Sequence, residues 1–149
     1  MIVCAKEVLK DYPALLLQYL KKVKPPQQVI SAFIFNAQNH ILFVTNGDGT
    51  LSLPVAVLEK GDNRAYVLKQ SFKEAAGVSP EELVVSDKPV CIPELGQEFY
   101  ASVGRAPVHH DLTHNGQNVW LVQQDLCSLS RFDFATQHYI PIIQHQHRG

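Results

Sequence analysis

From Arg64 to Ala76, apolar side chains return every three or four residues, at Ala65, Leu68, Phe72 and Ala75 or Ala76. That spacing predicts one amphipathic helix whose stripe must be buried against another layer. Its ends are marked as well. Asp62 and Asn63 stand where an N-cap belongs, and Gly77 stands where a helix leaves in left-handed backbone. The partner layer is legible upstream. Val29 to Phe35 reads VISAFIF, a nearly continuous run of strand formers, and Ile41 to Val44 repeats the character after Asn36-Ala37-Gln38-Asn39, which predicts a hairpin. Thr45 to Thr50 is dense in residues that tolerate left-handed backbone, so the chain turns again before Leu51-Ser52-Leu53-Pro54.

Downstream of the helix, Ser79-Pro80-Glu81-Glu82 has capping-box spacing and predicts a second short turn. Leu83 to Val85, Phe99 to Val103 and Val119 to Val122 then read as strands between Pro-, Gly- and His-rich loops. The stretch Tyr139 to Ile143 stays apolar before a polar tail that includes His145 and His147. At the front, Ala5 to Lys22 has helical character, with Leu15, Leu16, Tyr19 and Leu20 on one side and Pro13 in a first turn capped by Asp11. Lys21, Lys22 and Lys24 load its C-terminal end, and Lys24-Pro25-Pro26 stops it.

Composition narrows the function classes. A chain of 149 residues with 46% hydrophobic and 18% charged residues supports a single folded core. Thirteen Lys plus Arg against fourteen Asp plus Glu give a net charge of -1, so the basic footprint of a dedicated nucleic-acid binder is missing. A long nucleic acid is not an expected partner. No apolar run approaches the roughly 20 residues that cross a bilayer, so no membrane span is expected. Met1-Ile2-Val3-Cys4 meets Lys6 and Glu7 too early for a signal-peptide core, and Cys4, Cys91 and Cys127 are odd in number and scattered. The expectation is a cytoplasmic protein with buried, reduced thiols.

The order of hairpin, glycine-rich turn, Leu53-Pro54, extended loop, amphipathic helix ending in Gly77 and further strands resembles the Nudix hydrolase superfamily. The family's box is Gly, five residues, Glu, seven residues, Arg-Glu, a bulky apolar residue, one residue, Glu-Glu, one residue, Gly and a bulky apolar residue. Without gaps it falls on Ala56, Asp62, Gln70, Ser71, Phe72, Glu74, Ala75, Gly77 and Val78. Phe72, Glu74, Gly77 and Val78 match, and Asp62 is a conservative stand-in. Ala56, Gln70, Ser71 and Ala75 depart from the pattern. The resemblance implies an α/β fold, an α/β/α sandwich with a mixed β-sheet, spanning residues 25–149 behind an N-terminal helical extension over residues 1–24. Leu112 to Asp133 is faintly similar to the dinucleoside polyphosphate and RNA pyrophosphohydrolase branch.

The family reaction that the resemblance implies is hydrolysis of a nucleoside diphosphate linked to another group, with magnesium or manganese. Residues 71, 74 and 75 share one helical face, where carboxylates can hold a hard cation against diphosphate oxygens. Here that face reads Ser71, Glu74, Ala75, and Gln70 cannot replace the family's arginine. The leading expectation is a degenerate box that lacks metal-dependent hydrolysis and binds a nucleotide or another diphosphate compound in a binding or regulatory role. One alternative is an active hydrolase with Glu74 as catalytic carboxylate and metal ligand, Asp62 as a second ligand, and relocated carboxylates from Glu59, Glu94 or Glu98. Another is a protein-interaction module whose Leu-rich N-terminal helix docks on a partner or on a second copy, making a homodimer. Each feature has a plainer reading. Glu74 reads equally as a solvated charge, Asp62 as an N-cap, and His109, His110 and His114 as a polar loop. Phe99, Tyr100 and Trp120 read as core rather than as stacking platforms.

Overall fold

The computed structural model describes residues 25–107 and 117–148. The predicted helix from Ala5 to Lys22, and with it the boundary at residue 24, lies outside the described residues, as do His109, His110 and His114 and the side chain of His147. In chain order the elements are β1 (Gln27–Phe35), β2 (Ile41–Thr45), β3 (Leu51–Ser52), β4 (Ala56–Val57), α1 (Arg64–Ala76), β5 (Glu81–Val85), β6 (Val90–Ile92), β7 (Gln97–Arg105), β8 (Asn118–Leu121) and α2 (Phe134–Arg148).

The apolar run becomes the middle of the sheet. β1 is buried from Val29 onward, on both faces, which is the position a strand without polar alternation requires. It turns into β2 through an antiparallel hairpin with Phe35 opposite Ile41, as expected. Asn36 builds that turn: its Oδ1 accepts from the N–H groups of Gln38 at 3.0 Å and His40 at 2.9 Å. On its other side β1 lies parallel to β7, in register from Gln27 opposite Gln97 to Phe35 opposite Arg105. The strand order is β3-β2-β1-β7-β5, with β4 also on β1, β6 on β7 and β8 on β2. The sheet is therefore mixed, as the family resemblance implies.

Each face carries one described helix. Leu68, Phe72 and Ala76 of α1 pack with Ile30, Ala32, Ile34 and Leu42 on one face. On the other, Tyr139, Ile140 and Ile143 of α2 pack with Val29, Phe33, Phe43 and Phe99. Phe99 stacks on Tyr139 with ring centroids 4.4 Å apart. The α/β/α layering follows.

Four expectations need correcting. Ser79-Pro80-Glu81-Glu82 does not open a turn of helix: Glu81 already pairs with Arg105 of β7, and the register slips between Glu81 and Val84. Glu82 sits in left-handed backbone at φ 52 at that irregularity. The free edge of β7 takes these backbone groups into a ladder, which offers more partners than one isolated turn. The polar tail is the second half of α2, so His145 is exposed on a helix rather than on a loose terminus. Pro141 inside α2 hid it, since an interior proline costs about 3 kcal/mol. Burying Tyr139, Ile140 and Ile143 contributes roughly 1.5–3 kcal/mol each and outweighs that cost. Cys91 and Cys127 are exposed rather than buried, because each lies at an edge strand or a 3-10 turn instead of the core. Asp62 is not the cap of α1, as described next.

Candidate functional site

α1 covers Gln70 to Ala75, onto which the box was laid. Its N-cap is Asn63, whose Oδ1 accepts from the Tyr66 N–H at 3.0 Å, and its C-cap is Gly77 at φ 69, whose N–H donates to Lys73 O at 3.0 Å. Asp62 instead closes the preceding loop: its Oδ2 accepts from the Glu59 N–H at 2.8 Å, while its own N–H donates to Glu59 O at 3.1 Å. The side chain that matches the family's first Glu is thus occupied in shaping the loop.

The matching positions divide by role. Phe72 and Val78 are 0% exposed and belong to the core on the α1 face, and Gly77 takes the left-handed cap. These three are what the fold needs to seat the helix. Glu74 alone is a chemical match, and it is exposed, flanked by half-buried Ser71 and Ala75. Ala56 stands where the family has glycine, yet it lies in β4 opposite Ile30 and outside the left-handed region. A methyl group there is accommodated without strain, and it packs on the α1-side core. Val55 and Val57 on either side remain 43% and 47% exposed.

The candidate replacement carboxylates lie elsewhere. Glu59 is exposed in the loop before α1, Glu94 is exposed in a 3-10 turn (Pro93–Leu95), and Glu98 lies on β7, not in a loop. Glu98 stands two residues from Tyr100, whose ring lies 4.5 Å from the Arg64 guanidinium in the first turn of α1. Glu74 is ten residues farther along, about 15 Å of helix. Among the described residues no group of three His, Cys, Asp or Glu side chains is arranged to hold a metal. A hard cation needs several oxygen ligands and charge to draw it from water. One carboxylate, one hydroxyl and one methyl group do not make that donor set, so the residues on this face do not fit the family's magnesium or manganese.

Two features of the site escape sequence reading. Arg64 Nη1 donates to the carbonyls of Ser86 at 3.0 Å and Asp87 at 3.4 Å, tying the start of α1 to the end of β5. A cation in the first turn opposes the helix dipole, and that misfit was the available signal that Arg64 answers to something outside its own helix. At the other end, Asn118 Nδ2 donates to Ala76 O at 2.8 Å, so β8 holds the last turn of α1. Asn118 Oδ1 is buried without a hydrogen-bond partner among the described residues.

Titration is perturbed away from this face. The Thr50 hydroxyl, with the Thr50 N–H behind it, holds the Asp48 carboxyl below its ordinary range in the β2–β3 turn. Burial, aided by the charge of Asp133, pushes the Tyr139 phenol up on α2. Cavities also lie elsewhere. One of about 210 Å³ opens between β5, β7 and α2, and one of about 290 Å³ is lined by Phe35, Asn39, Arg105 and Gln123.

No family sequence model matches the chain, and no curated protein matches it in sequence. Solved structures do match in shape. A Nudix hydrolase from M. smegmatis is 10% identical, with 85% of this chain and 89% of that one aligned at a TM-score of 0.60. An ADP-ribose pyrophosphatase from Streptococcus suis is 16% identical over 83% and 93% of the two chains, TM-score 0.59. A Nudix hydrolase from Nitrosomonas europaea is 11% identical over 85% and 75%, TM-score 0.58. Such low identities speak to backbone rather than to chemistry. With the mixed sheet, the capped box helix and these neighbours in agreement, the chain is a protein of the Nudix fold.

Proposed function

We propose that this Nudix-fold chain binds a nucleotide or another diphosphate-containing small molecule without hydrolysing it. The observation that carries the reading is the split on α1: the residues that seat the helix are kept, while the face that would hold metal retains only Glu74. The neighbour that is an ADP-ribose pyrophosphatase supports a diphosphate compound as the ligand class. Three scattered cysteines without a paired spacing fit a reducing compartment, and the cytoplasm is the location proposed. Among the described residues no helix is long and apolar enough to cross a membrane.

The test pairs a magnesium and manganese titration with a turnover screen over nucleoside diphosphate derivatives, each compound also being assayed for thermal stabilisation of the protein. The expected outcome is ligand-dependent stabilisation with no metal-dependent turnover. Turnover that needs metal and disappears in Glu74→Gln would replace this reading with an active hydrolase.

A further inference from the structure

β1 and β7 run parallel through the middle of the sheet and end together, with Phe35 opposite Arg105. In open α/β sheets the crevice outside the carboxyl ends of parallel strands is where ligands bind. Such a crevice is present. A cavity of about 290 Å³ is lined there by Phe35, Asn39, Arg105 and Gln123. Ala101 and Val103 of β7 pack in the α2-side core, so by strand alternation Arg105 belongs to that side, across the sheet from α1 and Glu74. The cavity is separate from the box helix.

The elements that bring these four residues together are held by short local bonds. The Ala106 N–H donates to Phe35 O at 2.9 Å, fixing the end of β7 beside the end of β1. Asn39 takes left-handed backbone at φ 63, and its N–H donates to Asn36 O at 2.9 Å. Gln123 opens a 3-10 turn (Gln123–Cys127) in which Asp125 Oδ2 accepts from the Val122 N–H at 3.1 Å. A cavity framed in this way needs little reorganisation to receive a ligand.

Its chemistry is that of an anion receptor. Arg105, Asn39 and Gln123 bring N–H donors, and among the described residues their side chains have no hydrogen-bond or ion-pair partner. Arg105 has a carboxylate close by, since Glu81 stands opposite it in the β5–β7 ladder. Yet the only ion pair among the described residues joins Arg131 to Asp125 at 3.9 Å, and it offsets the acid two residues from Gln123. A guanidinium fork with two amides suits phosphate oxygens, while Phe35 gives the cavity an apolar wall. The volume is at the small end of ligand pockets and fits a small phosphorylated compound rather than a polymer. We propose, resting on the ligand class inferred under the proposed function, that this cavity binds the phosphate oxygens of the diphosphate compound through Arg105, with Asn39 and Gln123 as further donors.

The experiment is calorimetric titration with inorganic pyrophosphate, ADP and citrate, with a chelator present and at low salt, on the parent and on Arg105→Gln, Arg105→Lys and Glu81→Gln. The parent should bind pyrophosphate and ADP. Arg105→Gln should weaken both at least about tenfold, and Arg105→Lys should lose part of the affinity by keeping the charge without the fork. Glu81→Gln should tighten both about two- to threefold, because a neighbouring negative charge is gone. A merely structural role for Arg105 would not give that sign. Both positions are exposed, so without ligand the variants should melt with the parent. ADP binding that survives Arg105→Gln would overturn this site and leave the proposed function standing. A parent that binds none of the three would overturn both. Citrate bound through Arg105, with pyrophosphate and ADP ignored, would overturn the phosphate assignment and make the cavity a carboxylate receptor.

Discussion

At the level of single residues, the box on α1 shows that matching a motif and keeping its chemistry are separable. Phe72, Gly77 and Val78 persist because a buried ring, a left-handed cap and a core contact are needed whatever the helix does. Ser71 and Ala75 bear no such load, and they are where the carboxylates are missing. On the function proposed above, ligands are missing from an intact frame, and metal binding should respond to restoring them. We expect the variant combining Gln70→Arg, Ser71→Glu and Ala75→Glu to bind manganese at least about tenfold more tightly than the parent in a calorimetric titration, because convergent carboxylates raise the local negative potential. Unchanged affinity in a folded triple variant would mean that these positions do not converge. The helix from Arg64 to Ala76 and its Gly77 cap were readable from sequence. That Asn63 rather than Asp62 caps the helix was not, since both residues have short polar side chains and only the loop's hydrogen bonds choose between them.

Among the elements, legibility followed the range of the interactions that decide each one. The hairpin and α1 are settled by neighbours in sequence: Asn36 turns the chain, and a stripe between an Asn and a Gly makes the helix. β5 and α2 are settled at a distance. Glu81 is captured by Arg105, twenty-four residues on, and the helix around Pro141 exists because its apolar side lies on β7 and β1. The junction of β5 with β7 is also closely packed at Gly104. A Cβ on Gly104 would come within 2.7 Å of Leu83 Cδ2, 3.1 Å of Glu81 O and 3.2 Å of Ile34 Cδ1. Gly104→Ala should accordingly destabilise the protein by about 1–3 kcal/mol in urea unfolding, since a backbone carbonyl can give way less than a side-chain tip. A neutral result would show that the β5 edge is loose enough to step aside.

For the molecule as a whole, stability comes from two apolar layers sharing one sheet, and the buried Tyr139 ties its layer to pH. The phenol donates to Gln97 Oε1 at 2.6 Å and is raised above its ordinary value mainly by burial. The folded state therefore holds that proton more tightly than the unfolded chain does. Its contribution is complete below the unfolded tyrosine value of about 10 and is lost as pH rises through the higher folded one. Denaturation midpoints should thus fall more steeply above about pH 10 in the parent than in Tyr139→Phe. Parallel alkaline limbs would remove Tyr139 from the account. The α/β/α plan was visible in the sequence, but the central parallel pairing was not, because nothing local in β1 or β7 announces the other. That pairing also orders events during synthesis. β1 leaves the ribosome before its neighbour β7, which lies seventy residues behind it, so the strand can close its hairpin with β2 and must then wait. A nascent chain paused before residue 97 holds the strand with the longest buried run of the sheet with one edge open, and it is in that interval that a chaperone or an aggregate competes for it.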